Sequence, residues 1–216
     1  PRTFHVEGSN LQPGDEDLSQ VPFCDIRGKY LVVEEKVDGS NAAISFDAEG
    51  QLLMQSRGHY LSGKGDKRHF DAFKRYAHEI AQHLQPVLRD RFVLFGEWLY
   101  AKHTVFYDRL SAFFQEFDVF DRKTSLFLST KRRNALFEPV REYVTSVRVV
   151  ETGRFDVLDD LTALVGPSAF ISQERDALLT RFREGCELDG LNIDVELPRT
   201  DLSGMMAGLC IQQDDL

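Results

Sequence analysis

The run Glu35-Lys36-Val37-Asp38-Gly39-Ser40-Asn41 holds the residue types best placed to do chemistry. Its lysine closes the apolar stretch Tyr30-Leu31-Val32-Val33, and an Asp-Gly turn follows. An ammonium partly buried at such a strand end loses solvation, and its pKa falls. The neutral amine is a nucleophile. Gly39 permits a tight turn and close approach of a phosphate. Asn41 stands where its amide can donate a hydrogen bond to that phosphate. The plain alternative is a hairpin turn with a solvated lysine, and these seven residues do not separate the two.

Lys36-Val37-Asp38-Gly39 resembles motif I (KxDG) of the covalent nucleotidyltransferases, which comprise RNA ligases, DNA ligases and mRNA-capping enzymes. The Ser40-Asn41 continuation resembles RNA ligases of the phage T4 RNA ligase 2 type. Further elements match in order. Gln55-Ser56-Arg57-Gly58 resembles motif Ia, whose arginine contacts the ligand or the RNA end. Phe95-Gly96-Glu97-Trp98 resembles motif III, whose glutamate holds the ribose. Glu116-Phe117-Asp118-Val119-Phe120 resembles motif IIIa, whose aromatic ring stacks on adenine. The resemblance gives Glu35 a role through its backbone at the adenine edge, and places Asp38, Gly39 and His103 beside the pocket. KxDG alone is a weak pattern; four elements in order over residues 30–120 are not.

Each residue also has an ordinary reading. Glu97 follows Phe92-Val93-Leu94-Phe95, where a carboxylate accepts two ribose hydroxyls or ends a strand in an ion pair. A Phe117 ring against a purine contributes about 1–3 kcal/mol; core packing is its alternative, with Phe114 or Phe120 as the stacking ring. Arg57, between Ser and Gly, presents a fork of donors to phosphate oxygens or a solvated turn. The histidines show no paired metal-ligand spacing. The basic groups Lys64, Lys67, Arg68, Lys74, Arg75 and Lys131-Arg132-Arg133 read as solvated helix faces, or as contacts to RNA phosphates, which position a strand without reading its sequence.

Motif IV is altered. Its best match, Met206-Ala207-Gly208-Leu209-Cys210-Ile211-Gln212, holds Ala207 where the family has a metal-binding glutamate and Gln212 where lysine is common. Glu184-Gly185 and Asp189-Gly190 are rival positions. Motif V, with two phosphate-binding lysines, is not matched, so residues 1–216 read as one C-terminally incomplete adenylyltransferase domain with no second domain. The metal ligands are left unassigned. The resemblance implies ATP-dependent RNA ligation, with Lys36 taking AMP from ATP and passing it to an RNA 5′-phosphate that a 3′-hydroxyl then attacks. It implies ATP, Mg2+ (with Mn2+ as substitute) and RNA ends as partners, and RNA repair as the setting. The alternatives are a nucleotide-binding module impaired in transfer, or a DNA-ligase or capping-type enzyme.

The elements that must position these residues are legible as periods. Tyr30–Glu35, Ala43–Phe46 and Gln51–Gln55 read as strands of one hairpin or meander about an Asp47–Gly50 turn. Phe70, Phe73, Ala77, Ile80, Ala81 and Leu84 fall at helical spacing, with Pro86 as terminator or bend. Strands are expected at 91–95, 113–120, 124–128, 147–150 and 209–211. Helices are expected at 130–137, capped by Ser129 or Thr130, and at 157–165 and 172–183, while 185–205 reads as irregular. Without βαβ alternation this is an α+β pattern with largely antiparallel sheets. The resemblance makes it a nucleotidyltransferase (ATP-grasp-like ligase) core flanked by helices around a nucleotide cleft.

Composition sets the outer bounds. The 216 residues, 42% hydrophobic and 28% charged, suffice for one large folded domain and exclude a collagen-like or mainly disordered chain. Apolar runs fall far short of the roughly 20 residues of a membrane helix, and no basic-then-apolar leader pattern occurs. Cys24, Cys186 and Cys210 have neither disulfide-frame nor zinc spacing and read as reduced thiols in a cytoplasmic protein. The net charge of −9 lies entirely in residues 151–216, while residues 1–150 balance 21 acidic with 21 basic side chains. That argues against a general nucleic-acid coat and leaves room for a local basic groove.

Overall fold

A computed structural model describes residues 4–8, 20–61, 63 and 68–214. Its strands are β1 (His5–Val6), β2 (Gln20–Val21), β3 (Tyr30–Lys36), β4 (Ser40–Phe46), β5 (Leu52–Ser56), β6 (His59–Tyr60), β7 (Phe92–Trp98), β8 (Phe114–Asp121), β9 (Leu126–Phe127), β10 (Thr145–Ser146), β11 (Val149–Arg154) and β12 (Gly208–Gln213). Its α-helices are α1 (Phe70–Leu88), α2 (Thr130–Phe137), α3 (Leu158–Thr162), α4 (Arg175–Leu188) and α5 (Ile193–Glu196). The large sheet runs β10-β8-β7-β4-β5-β6, with β9 beside β8; the small one runs β11-β3-β12. Pairing is antiparallel except for β1–β2 and β10–β8. This is the α+β class the sequence pattern indicates.

The expected meander is corrected at its first strand. β4 and β5 form the hairpin, but β3 belongs to the other sheet. Both edges of β3 are occupied, by β11 and β12, and its residues Leu31–Glu35 are all buried. A strand paired on both edges has no backbone groups left for β4. Val37-Asp38-Gly39 is therefore a crossing between two sheets rather than a hairpin turn.

The apolar stripe Phe70, Phe73, Ala77, Ile80, Leu84 and Leu88 buries one face of α1. It packs with Ala42, Ile44, Leu94, Trp98 and Phe114 of the large sheet. Each such large side chain contributes about 1.5–3 kcal/mol. Pro86 does not end the helix, which continues to Leu88 with Arg89 N–H donating to the Gln85 carbonyl. In the last turn proline removes one donor, and the buried Leu88 holds the turn in place. A second core, Phe23, Leu31, Val33, Phe155 and Leu161, lies on the small sheet.

Four later boundaries shift. The strand expected at 147–150 is β11, starting at Val149 and running to Arg154. Helix α3 is shorter than expected because Leu164 and Val165 donate to carbonyls three residues back, in tighter turns. Helix α4 starts later because the Ser172 N–H is held by Asp108, and it extends to Leu188 because Cys186 continues the Leu178–Phe182 stripe. The stretch read as irregular also holds the short helix α5. Ser129 caps α2 as expected, accepting from Arg132 N–H. Lys64 and Lys67 of the first basic group lie outside the described residues.

Candidate active site

Lys36 is the last residue of β3, and the crossing that follows is tied to β7 and to the segment after it. Gly39 N–H donates to Glu97 Oε1 at 3.0 Å. Asp38 N–H donates to the Tyr107 hydroxyl at 2.8 Å, and Asp38 Oδ2 accepts from Thr104 N–H at 3.1 Å. A Cβ on Gly39 would sit 2.6 Å from the Trp98 carbonyl oxygen and 2.7 Å from Leu99 Cδ2, so any side chain there forces β7 away. Gly39→Ala is expected to lose about 1–3 kcal/mol of stability by overpacking, read as a lower urea midpoint. A midpoint equal to that of the parent protein would mean that the crossing is not clamped.

Lys36 corrects one expectation. Its side chain is exposed, not partly buried. Its stem runs beside Gly208 of β12, where an added Cβ would approach Lys36 Cδ to 3.6 Å. The strand's last position lies beyond the packed interior that covers Glu34 and Glu35. Lys36 still lies within electrostatic reach of Glu97, as do Arg57 and Asp38. The exposed Arg57 comes from the turn after β5. Asn41 sits directly opposite Glu97 in the β4–β7 register.

Burial pushes the Glu97 carboxyl up to about 7, against the opposing pull of the Gly39 hydrogen bond and Lys36. Burial likewise raises Glu34 to about 7 and Asp118 to about 6. A carboxyl whose folded pKa exceeds its unfolded value binds its proton more tightly in the folded state. Its stabilising contribution is complete below the unfolded value and disappears as pH rises through the folded one. These three groups should therefore make stability fall between about pH 5 and about pH 8. Glu97→Gln, which keeps an acceptor for Gly39, should flatten that slope in melts at the two pH values. Parallel pH slopes for parent and variant would refute the buried acid.

Phe117 is partly buried and packs against the cluster of Val37, Leu99 and Val147. It is the unpaired residue of a β-bulge, since Phe95 pairs with Asp118 and Gly96 with Glu116. A bulge re-aims the side chain it carries. Phe114 is fully buried under α1, which removes it as an alternative stacking ring. Phe120 packs against Phe127 at 5.2 Å with 60° between the ring planes. Glu35 turns its side chain away from Lys36, accepting from Ser168 Oγ and Ala169 N–H. His103 Nε2 lies 3.0 Å from Ser40 Oγ, and His69 Nε2 lies 3.2 Å from the same oxygen. His69 and Tyr107 carry no local sequence signal, because their partners are remote in the chain.

Behind Lys36, Arg133 bridges Glu34 and Glu116. All three are at most 2% exposed, so Arg133 cannot touch an RNA phosphate, and the second basic group reduces to Lys131 and Arg132. Strand β12 lies alongside, with Gly208 opposite Lys36 and Cys210 opposite Glu34. Gln212 donates to the Phe117 carbonyl and accepts from Thr130. Ala207 packs against the apolar cluster of Val105, Ile171 and Leu178. Among the described residues no three His, Cys, Asp or Glu side chains are grouped to hold a metal ion. The described residues thus offer no ready-made metal centre. A cavity of about 350 Å³ lies at the end of α1 between Asp47, Gln85 and Arg89, and no candidate residue lines it.

A family model described as RNA ligase matches residues 29–187. No curated protein sequence matches the chain. Among solved structures, the chain is similar to variants of Naegleria gruberi RNA ligase. One, with ATP and Mn, aligns with a TM-score of 0.58 and 16% identity over 88% of this chain and 48% of that one. Another with ATP and Mn gives 0.54 and 19% over 78% and 48%. A third, with AMP and Mn, gives 0.51 and 19% over 67% and 44%. The likeness is one of fold, and the matched part spans less than half of each of those chains.

Proposed function

The chain belongs to the RNA ligase family, and on that premise we propose that residues 1–216 are the adenylyltransferase domain of an ATP-dependent RNA ligase. The observation that carries this reading is the Gly39–Glu97 hydrogen bond. It holds the turn after Lys36 against the carboxyl assigned to the ribose. The Lys36 amine, once deprotonated, attacks the α-phosphorus of ATP. A phosphorus–nitrogen bond forms, the bond to the bridging oxygen breaks, and pyrophosphate leaves. An oxygen of an RNA 5′-phosphate then displaces Lys36 from the AMP. Finally the 3′-hydroxyl of the other end attacks that 5′-phosphate and releases AMP. Phe117 stacks on the adenine, Glu97 accepts from the ribose, and Arg57 and Asn41 hold phosphate oxygens, with the Glu35 backbone at the adenine edge. Asp38, Gly39 and His103 shape the entrance.

Mg2+, or Mn2+ in its place, enters in this reading only with the phosphates of ATP, because it keeps most of its own waters and needs few protein ligands. No described helix is long and apolar enough to cross a membrane, and the proposed setting is RNA repair in the cytoplasm. The test is a mass spectrum after incubation with ATP and Mg2+ or Mn2+. One AMP on the Lys36 peptide is the expected result, and GTP should give none. A GTP-derived adduct would move the chain to the capping class. Ala207 at the motif IV position favours a second reading, a nucleotide-binding module without transfer. That reading would win if ATP bound tightly and no adduct formed.

A further inference from the structure

We propose that Tyr100 and Phe113, with the cavity behind them, form a stacking pocket for a base of the RNA end brought to Lys36. The inference rests on the RNA ligase reading and deepens it. Isolated exposed apolar side chains need no explanation. Here two large rings adjoin, Tyr100 at 52% and Phe113 at 49% exposure. They meet edge to face at 5.3 Å. Tyr100 also stacks on the buried Trp98 at 5.9 Å with 16° between planes. Trp98 is anchored in turn by its indole N–H on the His69 carbonyl at 3.1 Å. Leu99 N–H donates to the Phe113 carbonyl at 2.8 Å, which fixes the two backbones together. The exposed faces are thus held before any ligand arrives, so little rotamer freedom is left to lose on binding.

Both rings border a cavity of about 150 Å³ with a floor of Leu99, Val105, Phe106 and Phe182. Its polar edge carries Asp38, Lys102 and Asp189. Aromatic faces beside carboxylates able to accept from exocyclic amino groups suit a nucleobase. A lipid chain or an apolar helix would cover that charged edge without offering it any hydrogen bond. Asp38 is two residues beyond Lys36, so the cavity opens onto the nucleophile's own turn. A base lying there would keep the attached strand end beside the lysine. The base belongs either to the strand with the 5′-phosphate or to the one with the 3′-hydroxyl.

The test uses the whole chain and short single-stranded RNAs carrying 2-aminopurine at one end. One set is labelled at the 5′-phosphorylated end and the other at the 3′-hydroxyl end. Stacking quenches the label, and the quenched set identifies the strand. Tyr100→Ala and Phe113→Ala should each weaken binding about 5- to 150-fold, the range for one stacked base. Tyr100→Phe should restore it. Tyr100→Leu keeps apolar bulk without a ring face and should behave like the alanine variant. Lys36→Ala should quench as the parent does, so failure of adenylation and failure of the pocket are read separately. Unquenched labels at both ends, full affinity in Tyr100→Leu, or variants altered only in self-association would each overturn the proposal, the last by assigning the face to a second copy of the chain.

Discussion

Arg133→Met should destabilise the protein by about 3–5 kcal/mol at about pH 8, the range for removing one partner of a buried ion pair. The guanidinium is the cation bonded to both Glu34 and Glu116, and it also draws on Asp118. Glu34 Oε2 and Asp118 Oδ1 already lack a protein hydrogen-bond partner. Without the arginine, the carboxylates must stay charged in a dry site or take up protons. Protonation is easier at low pH, and the variant's folded state then binds more protons than its unfolded state. The deficit should therefore shrink as pH falls towards about 5. Urea melts at the two pH values measure it. A deficit independent of pH, or below about 1 kcal/mol at both, would mean that the network is not a coupled buried charge cluster.

Lys36→Arg should abolish the AMP adduct while leaving ATP affinity within about threefold and the melting temperature unchanged. Arginine keeps the positive charge for the phosphates but is never deprotonated in a protein, so the nucleophile alone is lost. Folding should not respond, because the side chain is exposed at the end of β3. Labelled ATP with gel readout, beside calorimetric titration, separates chemistry from binding. An adduct persisting in Lys36→Arg would place the nucleophile elsewhere. Loss of both adduct and ATP binding would make Lys36 a binding group whose chemistry is untied to its amine.

Much of the candidate site was proposed from local signals. A lysine at a strand end with Asp-Gly after it, and a glutamate two residues past Phe95, are patterns a few residues wide. The strands that carry them follow from β-branched and aromatic runs, and α1 from a stripe of period 3.6. The resemblance added the order of the motifs and the role attached to each. The partners were not legible. Asp38 meets Tyr107 at 69 residues' separation, Ser40 meets His103 at 63, and Arg133 meets Glu34 at 99. Nothing in the run Lys131-Arg132-Arg133 distinguishes the buried arginine from its two exposed neighbours.

By itself the sequence determined the element types, the nucleophile and carboxylate to consider, and the family that Lys36 and its motif resemble. Periodicity and strand-end chemistry depend on neighbours within one or two turns. Only the tertiary structure decided that β3 and β4 part into different sheets, that Lys36 emerges into solvent while Glu34 and Glu35 do not, and that Tyr100 and Phe113 share an open face. Those outcomes depend on which strand edges are already taken and which side chains another segment covers. Pairing and burial of that kind are set by residues far along the chain, so no local pattern encodes them.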